Sequence, residues 1–129
     1  MNRHLVLTTS LEFENIISGK QSFLIRFFKK RFEYLQSLKR GDLIYLRKKG
    51  GEIIAQFNAG KLVFTDPVQP QDYKLLKIFS GDFSKEFFEE KLRENTIMVI
   101  IRIEKLEQFI TSPIDVPNSK KDWVIIDPV

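Results

Sequence analysis

Residues Ser18 to Phe27, "SGKQSFLIRF", pass from a polar turn into an apolar strand that carries an arginine. The planar fork of N–H donors on Arg26 suits a phosphate or a base edge. The alternative is a structural salt bridge. Beside it, Gln21 and Ser22 can hydrogen-bond a base or sugar, or simply cap their own loop. Lys29, Lys30 and Arg31 adjoin Phe27, Phe28 and Phe32, and cations interleaved with aromatics can track a backbone and stack bases. Most of the twelve Phe must nevertheless be core. Lys20, Gln21, Ser22, Arg26, Lys29, Lys30 and Arg31 form the candidate ligand-binding set. No catalytic residue stands out.

Other chemistries are thinly represented. With no Cys, disulfides, thiolate metal sites and thiol nucleophiles are excluded. His4 is the single His, so a His/Cys metal centre lacks ligands. A Ser-His-Asp relay would have to use this near-terminal residue, which reads better as a surface or edge position. "NAGK" fails as a phosphate-binding loop, because Ala55 stands at the first glycine position and Leu62 follows Lys61. Carboxylates are scattered without metal-ligand spacing. Neither metal nor cofactor is implied.

Charge is concentrated. The net charge is +4, yet between Lys20 and Lys49 ten bases face only Glu33 and Asp42. That stretch is +8 and the remainder −4. Concentrated positive charge suits a phosphate-bearing partner, although a solvated face is the competing reading. Lys48 and Lys49 beside Gly50-Gly51 read as a solubilising hairpin tip. Trp123 reads as packing or, less simply, as a stacking platform. Tyr45 is equally open.

These residues need elements to hold them. "HLVLTTS" reads as a first strand rather than a secretory leader. Thr9 with Glu12 forms a capping box for a helix from about Ser10 to Ser18, with Gly19 closing it. In "SFLIRFF" the two faces separate: Phe23, Ile25 and Phe27 read as core, and Ser22, Leu24, Arg26 and Phe28 as a cleft wall. "FKKRFEYLQSLKRGD" allows a helical turn. "LIYLRK" is a strand, and "EIIAQFNAGKLVFT" is a long one bent at Ala59-Gly60. Helices follow in "QDYKLLKIFSG" and in "DFSKEFFEEKLREN", the latter capped by Asp82 or Ser84. "TIMVIIRIEKLEQFI" must be a central strand, and "DWVIID" a final one. No apolar run reaches the roughly 20 residues of a membrane span. The length suits a single domain over 1–129. The class is α+β: a small mixed barrel of five to six strands with two to three inserted helices.

Two units together, "FENIISGKQSFLIR" and "LKRGDLIYL", resemble an ASCH domain of the PUA-like superfamily, over most of residues 4–65 and a late strand at 96–110. The resemblance implies a β-barrel with a cleft beside the first helix and an association with RNA. The family motif, Gly-x-Lys-x-x-Glu-x-Arg, is half kept. Gly19 and Arg26 match, whereas Gln21 replaces the lysine and Leu24 the glutamate. Leucine cannot carry a proton, so the resemblance implies the fold and the cleft and argues against the hydrolytic chemistry of some members.

The sequence therefore points to a cytoplasmic, non-catalytic nucleic-acid-binding module. RNA is the expected partner and DNA the alternative. An enzyme on RNA or a modified nucleoside, amidohydrolase-like with altered catalytic residues, and a protein-interaction module with a vestigial cleft are the competing readings.

Overall fold

The apolar run in "RHLVLT", buried at His4, Leu5 and Val6 in succession, forms the first strand, β1 (Arg3–Thr8), of a computed structural model that describes residues 2–29, 37–79, 84–114, 116 and 121–126. After β1 come α1 (Ser10–Ile17), β2 (Phe23–Phe28), β3 (Leu43–Lys48) and β4 (Ile53–Thr65). The chain continues with α2 (Asp72–Phe79), α3 (Lys85–Arg93), β5 (Ile97–Gln108) and β6 (Trp123–Ile126). The strands form one mixed sheet in the order β2-β5-β4-β3-β1-β6. β1 and β3 run parallel, with Val6 opposite Leu46, and the other neighbours are antiparallel. The expected α+β class, a mixed sheet of six strands with inserted helices, is thus present. β5 lies inside the sheet, as expected, and the expected final strand is present as β6, which stands at one end of it.

The sheet is curled. β2 and β6 stand at opposite ends of the strand order, yet the Phe28 ring meets Trp123 edge-on at 5.9 Å between centroids. Side chains close this seam among the described residues.

Curling explains why β5 is apolar on both faces. Ile97, Val99 and Ile101 point into the barrel, where they join Val6, Leu24, Ile44, Leu46 and Phe57. Met98 and Ile100 point outward, under Leu76 of α2 and Phe88 of α3. A strand buried on both faces reads as a continuous apolar run, not as alternation. The same rule corrects the reading of β2. Phe23, Ile25 and Phe27 do belong to the outer core, but Leu24 is fully buried and Phe28 packs against the barrel interior. Only Arg26 of that face reaches the cleft described below.

The helix signals hold locally. The Thr9 side chain accepts from the Glu12 amide at 3.1 Å, and Gly19 takes φ +82° after α1, a conformation that costs glycine little. The capping box is only half formed, because the Glu12 carboxylate turns to Arg26 instead. Ser84 caps α3, accepting from the Phe87 amide at 3.1 Å; Asp82 lies outside the described residues. The break expected at Ala59-Gly60 is a register shift within a continuous β4. The helical turn expected within residues 29–41 falls largely outside the described residues.

His4 is not an edge residue. It is fully buried, its Nε2 lies 2.9 Å from Asp42 Oδ2, and Trp123 Nε1 donates to its Nδ1 at 3.1 Å. Asp42 also accepts from the Asn2 and Lys39 amides. This buried set ties β1, the turn before β3 and β6 together. A buried polar group must find partners, and here each one satisfies the next. Trp123, 5% exposed, is packed rather than presented, and so is Tyr45.

Candidate functional site

Where β1 runs into α1, its last residues face β2 across the seam. Arg26 occupies that gap. Its guanidinium makes a two-pronged bond to Glu12 of α1, with Nη2 at 2.6 Å from Oε1 and Nη1 at 2.9 Å from Oε2. It also donates to the carbonyls of Leu7 and Ile25, both at 2.9 Å. Fork-to-fork contact of this kind is the strong form of the ion pair. The pair keeps limited solvent access, with side-chain exposures of 18% and 21%.

Gln21, at the family lysine position, is tied into the same cluster. Its side-chain amide donates to the Phe23 carbonyl at 2.9 Å and to Glu12 Oε2 at 3.3 Å. Both residues that sequence reasoning placed near the first helix therefore converge on Glu12, a residue it had assigned to capping alone.

The cluster forms one wall of a cleft of about 340 Å³, at the lower end of the roughly 300–1,000 Å³ typical of small-ligand sites. Leu7 and Thr9 from the end of β1 line it, with Phe27 beside Arg26 on β2. Lys49, after β3, and Asp122, before β6, stand at its rim. Phe87 and Lys91 of α3 form the facing wall. Phe27 and Phe87 pack edge to face at 5.6 Å. The Lys91 ammonium stands 5.0 Å from the Phe87 ring centre and 6.0 Å from that of Phe27, within cation–π range.

The other candidates are dispersed. Lys20 and Ser22 are exposed in the turn before β2, and Ser22 contributes its carbonyl to the Ile103 amide at 2.9 Å. Lys29 forms a loose ion pair with Glu94 at 3.4 Å, its side chain 77% exposed. Lys30 and Arg31 lie outside the described residues.

The described part of the +8 stretch is likewise not one surface. Arg47 is buried and donates to the Val116 carbonyl at 2.6 Å. Lys48 approaches Glu14 at 3.6 Å and covers the Phe13 ring. Acids distant in sequence neutralise part of the run once the chain folds.

Sequence reasoning missed Lys91, Phe87, Lys49 and Asp122 as cleft residues. One signal was present: Phe87 and Lys91 are four apart, so one face of α3 carries both. Among the described residues no group of three His, Asp or Glu is placed to hold a metal ion. No described helix is long and apolar enough to cross a membrane.

No protein-family model matches the chain. No curated protein matches it in sequence. Solved structures do resemble it. The ASCH protein of Zymomonas mobilis superposes with a TM-score of 0.57 at 12% identity, over 82% of this chain and 69% of that one. A point variant of that protein gives the same score over 84% and 73%. The hypothetical protein PH0355 superposes with a TM-score of 0.53 at 17% identity, over 78% of this chain and 95% of its own. The curled six-stranded sheet, its inserted helices and this likeness together show that the chain has the fold of an ASCH protein, as its sequence units resemble.

Proposed function

We propose that the protein is a non-catalytic nucleic-acid-binding module of the cytoplasm, with RNA as its ligand and DNA as the alternative. One nucleotide occupies the cleft beside α1, and basic side chains outside it follow the phosphates. The observation that carries this reading is the composition of the cleft. Lys49 and Lys91 line it, and neither forms an ion pair among the described residues. Phe27 and Phe87 lie in the same walls. Cations and aromatic faces side by side suit a backbone and a base. Arg26 belongs to the wall; Lys20, Gln21, Ser22, Lys29, Lys30 and Arg31 are the proposed flanking contacts.

Support for a binding rather than a catalytic role comes from the same residues. The Glu12 carboxylate is occupied by Arg26 and Gln21, and Leu24, at the family glutamate position, is in the barrel core. A proton carrier must reach its substrate, and neither position offers one. The likeness to ASCH structures supports the RNA assignment.

Fluorescence anisotropy with short single-stranded and duplex RNA and DNA at two salt concentrations tests the reading. Binding is expected to weaken with salt, with log K falling by roughly 0.7 per phosphate contact on a single strand. Failure of the folded protein to bind any of the four at low salt overturns it.

A further inference from the structure

Resting on that reading, we infer that Lys91 of α3 is the phosphate anchor of the cleft, with Lys49 as its second prong, so that the ligand is a phosphorylated nucleotide and not a nucleoside or free base. Lys91 lies one helical turn beyond Phe87, on the face that meets β2. The half-buried residue holds its ammonium over two aromatic rings. Those rings displace water from one side of the charge and return only a quadrupole attraction. A desolvated cation ordinarily recovers the loss from a carboxylate. Among the described residues Lys91 has no such partner, although Glu12 and Asp122 line the same cleft and no ion pair joins either to Lys91. Glu12 is held by the guanidinium of Arg26. The two cations of the wall therefore differ in kind: Arg26 is neutralised within the fold, whereas Lys91 is held in place and left for an incoming anion.

Lys49 strengthens the assignment. Its amide is fixed by the Thr8 carbonyl at 3.1 Å. Its exposed side chain lines the same cleft and likewise has no acid partner among the described residues. Two unneutralised ammonium groups on separate elements form a site for a multiply charged group such as a phosphate. The neighbouring rings leave an apolar surface for the base. A neutral nucleoside offers the two lysines hydrogen-bond acceptors but no opposite charge.

The test compares wild type, Lys91→Gln, Lys91→Arg, Lys49→Gln and, as an equal loss of charge elsewhere, Lys61→Gln at an exposed position of β4. Each is titrated with a short single-stranded RNA, with a nucleoside 5′-monophosphate and with the matching nucleoside, after circular dichroism has confirmed folding. Lys91→Gln is expected to weaken RNA and mononucleotide binding roughly ten- to hundredfold, the effect of losing a hydrogen bond to a charged group. It should also reduce the salt slope on the single-stranded RNA by roughly 0.7, one phosphate contact. Lys91→Arg should restore most of the affinity, Lys49→Gln should act in the same direction, and Lys61→Gln should change little. The nucleoside should bind far more weakly than its monophosphate. RNA binding unchanged by Lys91→Gln, or a nucleoside bound as tightly as its phosphate, overturns the inference and leaves the nucleic-acid reading standing. No RNA binding by folded wild type overturns both.

Discussion

The guanidinium of Arg26 on β2 donates to the main-chain carbonyl of Leu7 on β1 at 2.9 Å, although β5, β4 and β3 separate the two strands in the sheet. One side chain thus bridges a gap where no described ladder exists, and the same side chain binds Glu12 on α1. Arg26 is both wall and fastener. Removing it leaves the Glu12 carboxylate and the Leu7 carbonyl without that donor.

Arg26→Ala should therefore destabilise the fold by about 1–3 kcal/mol, the range for leaving hydrogen-bond partners unsatisfied, with solvent access holding it toward the low end. Urea denaturation monitored by Trp123 fluorescence reads this directly. A double-mutant cycle with Glu12→Gln should show a coupling of about 0.5 kcal/mol or more. A coupling of zero would mean that the pair contributes nothing to the fold.

The buried histidine makes a spectroscopic prediction. An indole N–H can only donate, so His4 Nδ1 accepts from Trp123 and the ring proton sits on Nε2, toward Asp42. Long-range ¹H–¹⁵N correlation of the imidazole should show the Nε2–H tautomer. His4→Phe, which leaves the indole N–H and an Asp42 oxygen short of a partner, should cost about 1–3 kcal/mol or more by denaturant midpoint.

Gly19 ends α1 at φ +82°, with open space where a Cβ would stand. The strain of Gly19→Ala is therefore purely conformational, about 1–2 kcal/mol. Thermal unfolding should show a lower Tm. An unchanged Tm would mean that the turn relaxes to a right-handed conformation at no cost.

Phe87 separates stacking from charge at the cleft. Phe87→Leu keeps an apolar side chain but removes the ring beneath Lys91. RNA affinity should fall by about 1 kcal/mol or more if the ring serves as a base platform, while the salt slope stays the same because no charge changes. A parallel loss of slope would show that the ring acts by holding Lys91.

Local signals carried much of the architecture. Thr9, Gly19 and Ser84 mark helix ends through contacts with residues a few positions away, which the sequence displays directly. The apolar run in β5 was legible as a central strand because both of its faces are buried. The half-kept motif, Gly19 and Arg26, was legible as a resemblance to the fold that the solved structures share.

What lay beyond the sequence depends on contacts between distant positions. Whether Arg26 meets a ligand or an acid is decided by Glu12, 14 residues away on another element. His4 is buried because Trp123, 119 residues later, closes over it. The described bases of the +8 run between Lys20 and Lys49 meet different partners, since charge density along a chain says nothing of which acids the fold brings alongside. Lys91, which looks like one cation among several on an amphipathic helix, becomes a cleft residue only because α3 packs on β2 and the curled sheet brings β2 to the end of β1. The sequence by itself determined the helix ends and the doubly apolar run of β5, through short-range hydrogen bonds and hydrophobic pattern, but not the inner face of β2, where Leu24 and Phe28 joined the core. Only the tertiary structure decided which charges are neutralised and which remain open, because pairing depends on proximity in space.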